Sequence, residues 1–178
     1  MTTSDANASS REEYAVARIA TLLDRGGGLS MGDLASLRRM DPRQPAPAFF
    51  KLEGMALDEY LPGEAAAREA LETRWAAVVV GLAHLGALHR LGHSYRLGYV
   101  LADLSYTEMR VERLLHADED RLIDDLPALA RYLTTKGAHV DWCGAANLLL
   151  SAGRSDGESH RRHIARDYYG RAARLASR

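Results

Sequence analysis

The sequence predicts an all-α protein, a compact bundle of roughly eight helices arranged as one domain or as two packed lobes. The 178 residues include 29 Ala and 26 Leu but only 7 Val and 3 Ile, and β-branched residues are the ones that lose rotamer freedom in a helix. With 47% hydrophobic and 26% charged residues, the composition is typical of a globular protein. No strand pattern of useful length and no repeat of fixed period is present. The single cysteine, Cys143, excludes an internal disulfide.

Residues 1–9 are predicted to be a disordered N-terminal tail, and residues 10–178 a single helical domain. In the first half, helices are predicted over residues 11–25, 31–40, 48–61 and 64–89. Glycines 26–28 end the first helix, and Ser30 caps the second. The fourth helix is the longest. Its apolar residues step by four and three from Leu71 to Leu85, which is the spacing of a helix-packing face.

In the second half, helices are predicted over residues 97–104, 105–116, 118–136, 142–152 and 159–177. Ser105 is predicted to cap the second of these, with Glu108 at the capping-box position, and Asp141 to cap the fourth. Pro127 should kink or split the third helix, because proline lacks the backbone N–H that an α-helix needs.

Motifs for catalysis and for cofactor binding are absent. The chain has no Gly-Lys-Ser/Thr phosphate loop and no strand-borne Gly-x-Gly-x-x-Gly, so no cofactor, catalytic residue or small-molecule substrate is predicted. The most apolar window, residues 75–88, is too short to span a bilayer, and no apolar signal sequence precedes it. We therefore expect no membrane partner and a cytoplasmic location.

No metal site is predicted either. His89 and His93 are four residues apart, but Gly92 lies between them at a helix end and no carboxylate follows at a useful spacing. His160, His163 and Asp167 would share one helical face. An ordinary ion pair between Asp167 and Arg171 is the better explanation of that pattern.

The distribution of arginines favours contact with nucleic acid. On a helix, an arginine three or four residues from an acid usually forms a solvated ion pair, as expected for Arg68 and Arg171. Glu158 is near Arg162 but is expected to lie outside the helix. The predicted nucleic-acid-binding residues are the arginines with no acid at these spacings on the same predicted helix: Arg38, Arg39, Arg110, Arg113, Arg162 and Arg166. Unpaired guanidinium groups suit phosphate oxygens, although an ordinary charged surface explains any one pair. No recognition-helix motif for base readout is present.

Several segments together resemble one protein family. Residues 96–102 (RLGYVLA) and 105–115 (SYTEMRVERLL) resemble the LG-x-x-L-A … E-x-R-x-x-R-L-L stretch of the CasB family. That family is the small subunit of Cascade, the type I-E CRISPR surveillance complex. Further similar segments, in the same order, are residues 37–39, 47–52, 140–142, 148–150 and 164–169. Together the similar segments cover most of residues 30–170.

The resemblance implies an all-helical, non-enzymatic protein that is present in more than one copy in its complex. It also implies contacts with the large and backbone subunits, and a basic path for target DNA beside the crRNA. By position, Arg38, Arg39, Arg110 and Arg113 match the family's basic surface, and Trp142 matches a core residue. Tyr99 and Asn147 depart from the family pattern, since arginine is expected there in many relatives.

The predicted function is therefore that of a Cascade small subunit. It would bind nucleic-acid backbone without base readout and stabilise the R-loop formed by crRNA and target DNA, with no enzymatic activity. Its partners would be the large and backbone subunits and a second copy of itself. The alternative is a helical protein–protein adaptor without intrinsic nucleic-acid binding. A metal-dependent nuclease is disfavoured, because no acidic cluster with ligand spacing accompanies the arginines.

Overall fold

A computed structural model describes residues 3–24 and 27–177, and this part of the chain contains nine α-helices and no β-strand, which confirms the all-α prediction. The helices are α1 (Thr3–Leu23), α2 (Met31–Arg39), α3 (Pro47–Ala56), α4 (Ala65–Leu85), α5 (Leu97–Asp103), α6 (Glu108–Leu115), α7 (Glu119–Thr135), α8 (Cys143–Leu150) and α9 (Gly157–Ala176). Helix α1 begins at Thr3, before the predicted start at Arg11. Residues 1 and 2 of the predicted tail lie outside the described residues, and the division into a tail and one domain stays a prediction.

Helix α4 is the central element of the bundle. Its N-terminal end is solvated, whereas every residue from Trp75 to Ala83 is buried. Four helices, α1, α2, α7 and α8, pack around this half, and α7 makes the most extensive contact with it. The predicted apolar face is therefore only part of the buried surface, because small residues let neighbouring helices cover α4 on all sides.

Helices α5 and α9 form a second closely packed pair. They touch at Gly98, where an added Cβ would lie 2.4 Å from the carbonyl oxygen of Ile164 and 2.7 Å from the Cβ of Asp167. The backbones can approach this closely only because residue 98 has no side chain. This contact fixes the direction of α9 across the bundle.

The helix caps were predicted with mixed success. Ser30 forms a complete capping box with Asp33, so this cap is confirmed. An Asp141 carboxylate oxygen accepts the Cys143 N–H at 3.1 Å, but α8 begins at Cys143 with Trp142 at the N-cap position, so the helix starts one residue later than predicted and Asp141 lies before its N-cap. The Ser105 cap is wrong. Ser105 has a φ of 53°, and its N–H donates to the Ala102 carbonyl. It therefore belongs to the turn that ends α5, and α6 begins only at Glu108.

Helix α7 runs without a break from Glu119 to Thr135, with Pro127 inside it. The predicted split does not occur. Pro127 is buried, and the packing of α7 along α4 outweighs the lost backbone hydrogen bond, as tertiary contacts often do.

We expect the free energy of unfolding to fall as the pH is lowered below about 6.5, the ordinary pKa of histidine. Burial lowers the pKa of His84, His89 and His160. A lowered folded-state pKa means that the unfolded chain binds protons more readily, so stability that is present above pH 6.5 is lost on acidification. His89 Nδ1 also accepts a hydrogen bond from the backbone N–H of Trp142 (3.2 Å), which requires that this nitrogen is unprotonated.

Melting temperatures between pH 7.5 and 5 test this expectation, with His89→Asn as the comparison. Asparagine offers an acceptor but does not titrate, so the variant should lose less stability than the wild type as the pH falls. Burial raises the pKa of Glu12, so protonation of this residue stabilises the folded state as the pH falls, and it does so equally in the wild type and the variant. The same pH dependence in wild type and variant would exclude His89 as a contributor.

Candidate nucleic-acid interface

Two aromatic rings and two cations form a cluster where α6 and the turn before it meet α7. The Arg110 guanidinium lies over the Tyr106 ring, 5.6 Å from its centre, and the Tyr106 and Tyr132 ring centres are 5.3 Å apart. The Lys136 ammonium lies 5.8 Å from the centre of the Tyr132 ring. Such cation–π contacts restrict a long side chain. Arg110 and Lys136 are therefore held in place while their charges stay open to a ligand.

Helix α6 is positioned by its buried residues Val111, Leu114 and Leu115. Arg110 and Arg113 project from the side that faces α7, and both are exposed. They line a small cavity together with Asp125. Asp125 belongs to α7, so a search for acids on the same helix as the arginines could not find it. Asp125 pairs with Arg121 at 3.3 Å, so its charge is shared with another arginine.

Arg38 lies where α2 packs against α4. Its Nε atom donates to the Ala83 carbonyl at 2.7 Å, which anchors an otherwise exposed side chain. The pKa of His84 is lowered first by burial and then by the charges of Arg131 and Arg38, so both arginines lie near that histidine. Arg39, beside Arg38, is exposed and forms no ion pair with any residue the structure describes.

Helix α7 and the residue that follows it join these two groups and supply two basic residues that the sequence analysis missed. The first half of α7 holds the acids Glu119, Asp120, Asp124 and Asp125, whereas residues 126–136 contain no acid. Arg131 lies in the second half of α7 and Lys136 directly follows the helix, and both are exposed. Neither has an acid three or four residues away, so the spacing test would have found both had it been applied to them. The "α7 basic surface" consists of Arg38, Arg110, Arg113, Arg131 and Lys136.

The predicted residues on α9 stand apart from this surface. Because α9 begins at Gly157, Glu158 lies inside the helix and pairs with Arg162 at 2.9 Å. The prediction that Arg162 has no acidic partner is therefore wrong. Arg166 is exposed and, among the described residues, forms no ion pair.

Two carboxylates separate the α9 arginines from Arg110 and Arg113. Glu108 and Glu112 occupy the side of α6 that faces α9, and together with burial they raise the pKa of Tyr169 on that helix. Residues two apart on a helix point in very different directions, so Arg110 lies on the opposite side from both acids. The predicted residues on α6 are thus separated from those on α9.

The arginines that were predicted to be paired have acidic partners. Arg68 pairs with Glu72 as predicted, and also with Glu53 and Asp58. Arg171 pairs with Asp103 of α5 at 2.7 Å, not with the predicted Asp167, which lies one turn earlier on α9 and is near Arg96 and His163 instead.

In the part of the chain that the structure describes, no group of three or more His, Cys, Asp or Glu side chains is arranged to hold a metal ion. His163 lies 3.5 Å from Asp167, and His160 lies 3.8 Å from Asp156. Cys143 is buried. None of the described helices is long and apolar enough to cross a membrane.

Comparison with known proteins identifies the family. Residues 33–169 match the family model described as CRISPR-associated protein Cse2. One similar solved structure is that of a "CRISPR RNA-guided surveillance complex". Its matching chain is 20% identical in sequence, the match covers 96% of this chain and 98% of that one, and the TM-score is 0.63. This likeness shows that the two chains share a fold. No curated protein sequence matches the chain. Because the family match covers well over half of its residues and confirms the resemblance seen in the sequence, the chain belongs to the CRISPR-associated protein Cse2 family.

Proposed function

We propose that the chain is the small subunit of a type I-E CRISPR surveillance complex, where it binds nucleic-acid backbone and stabilises the R-loop between crRNA and target DNA. The family assignment supports the place in the complex. Its partners would be the large and backbone subunits, a second copy of itself, the crRNA and the target DNA. The α7 basic surface is the observation that supports the proposed binding of nucleic acid.

This surface suits phosphate groups because its cations are available and held in place. Arg110 and Lys136 are held by aromatic rings, and Arg38 by a backbone carbonyl. Arg113 and Arg131 are exposed and form no ion pair with any described residue. Phosphate contacts supply affinity and fix register, but they carry no sequence information. We therefore infer binding without base readout.

The salt dependence of the affinity for single-stranded nucleic acid tests the proposed binding. For single strands, the logarithm of the association constant falls with the logarithm of salt at a slope of about −0.7 per neutralised phosphate. Four to six contacts would give roughly −3 to −4. Arg110→Ala combined with Arg113→Ala should flatten the slope by about 1.4 and weaken binding to all sequences alike.

A matched control removes two arginines that already have acidic partners. Arg18 pairs with Glu59, and Arg171 with Asp103, so Arg18→Ala combined with Arg171→Ala changes the net charge equally. The control should leave the slope close to the wild-type value. Equal losses in both variants, or an affinity that does not depend on salt, would contradict the proposal and favour a protein–protein adaptor.

The proposed function includes no catalytic step. Purified protein incubated with labelled DNA or RNA and Mg²⁺ or Mn²⁺ should leave the substrates intact. Cleavage that follows the folded protein through purification, and that disappears when the protein is unfolded, would contradict this expectation.

A further inference from the structure

One cavity in the described part of the molecule lies away from the α7 basic surface. It has a volume of about 570 Å³ and lies between α1, α5, α8 and α9. Buried Leu97 and Ile164 form apolar parts of its wall, and Leu91, which is 60% exposed, lies on its rim. None of its lining residues belongs to the α7 basic surface, so whatever it binds is independent of the phosphate contacts proposed above.

The charges around this cavity are predominantly negative. Glu13, Asp141 and Asp167 line it, against the single guanidinium of Arg96. Three histidines also line it, and burial lowers the pKa of one of them, His160, which favours its neutral form at pH 7. A cationic group would therefore be attracted into the cavity.

Asp167 is the most deeply buried of these acids. Its side chain is only 9% exposed, and the nearest basic groups are His163 Nε2 at 3.5 Å and Arg96 Nη1 at 3.9 Å. Its buried Oδ2 atom accepts no hydrogen bond from any described residue. A buried carboxylate is costly unless it is paired and hydrogen-bonded, so a ligand that brings a positive charge to this wall would gain a strong interaction.

We propose that the cavity, which we call the Asp167 cavity, receives the cationic side chain of an arginine or lysine that projects from a protein partner. The guanidinium or ammonium group would interact with Asp167 and Asp141. Leu97 and Ile164 would cover the aliphatic stem, as such side chains commonly bury their methylene groups. The exposed Leu91 on the rim favours a protein as the source, because it would be covered by residues that flank the inserted side chain.

Titration of the full-length, ¹⁵N-labelled protein with L-arginine amide tests the proposal. We expect saturable chemical-shift changes in the backbone amides of residues 91–98, 141–147 and 160–167. L-citrulline amide, which has nearly the same shape but no charge, should produce none of them. Equal changes with both compounds, or no change with arginine amide at millimolar concentration, would overturn the proposal.

Two variants locate the binding. Asp167→Asn should weaken arginine amide binding at least about tenfold, because it removes one partner of a desolvated charge pair. Gly144→Met should block the cavity without disturbing the fold, since a Cβ at Gly144 meets only the Leu97 Cβ, at 3.5 Å. The second variant decides the outcome if the first does not fold. Full affinity in a folded sample of either variant would overturn the proposal.

A tripeptide separates a protein source from a free small cation. Acetyl-Leu-Arg-Leu amide should bind about tenfold more tightly than arginine amide, because its leucines bury apolar surface against the rim. Leu91→Ser should remove most of that gain. Equal affinity of the two ligands, unchanged by Leu91→Ser, would overturn the protein-partner assignment and leave a site for a small cation.

Discussion

Replacing Trp142 with alanine should lower the free energy of unfolding by about 3–5 kcal/mol, the usual cost of deleting a buried tryptophan. Trp142 is fully buried, and its Nε1–H donates to the Val78 carbonyl at 3.2 Å. The ring lies directly against Gly81, where an added Cβ would be 2.4 Å from the Trp142 Cζ2 atom. Alanine would leave a cavity inside the bundle and remove the additional hydrogen bond to the Val78 carbonyl.

Urea denaturation followed by circular dichroism at the helix band measures this loss. Trp142→Phe serves as the control: it keeps most of the buried apolar surface and loses the hydrogen bond, so it should be destabilised less than the alanine variant. Overlapping unfolding curves for wild type and Trp142→Ala would show that the ring does not stabilise the isolated fold, and would contradict its assignment to the core.

Much of the helical architecture follows from local signals, although packing overrides the one at Pro127. Ser30 acts as predicted because a side-chain acceptor next to a helix start binds free backbone N–H groups in almost any tertiary setting. The resemblance placed Trp142 in the core, and the structure agrees. The close approach of α5 to α9 at Gly98 was not predicted, because a lone glycine in a sequence does not reveal which backbone will pack against it.

The limits of helical spacing are clearest among the arginines. The spacing test examines only neighbours on one helix, and it depends on where that helix begins. Arg162 was misjudged because α9 starts at Gly157 and so includes Glu158. Arg171 was correctly expected to be paired, but its partner Asp103 comes from another helix. A one-dimensional pattern contains no information about such partners.

The aromatic cluster shows what else the sequence could not provide. Tyr106 and Tyr132 lie 26 positions apart in the sequence, and only the tertiary fold brings their rings together. With them come Arg110 and Lys136, so a surface that the sequence suggested through isolated arginine pairs includes residues on three helices and the turn after α7.

We propose that the α7 basic surface holds nucleic-acid backbone within an assembled complex. If it does, combining Arg110→Ala with Arg113→Ala should shorten the lifetime of the R-loop while the complex still assembles. We expect dissociation about tenfold faster, which corresponds to ~1.4 kcal/mol for the two contacts together. The effect should shrink at high salt, because the lost contacts are electrostatic.

The most direct test is the dissociation rate of labelled target DNA from reconstituted complexes of verified composition. Three complexes are compared: wild type, the Arg110/Arg113 double variant, and the control that lacks Arg18 and Arg171. Faster dissociation from the first variant alone is the predicted result. The same dissociation rate from all three complexes at low salt would contradict the assignment of this surface to nucleic acid.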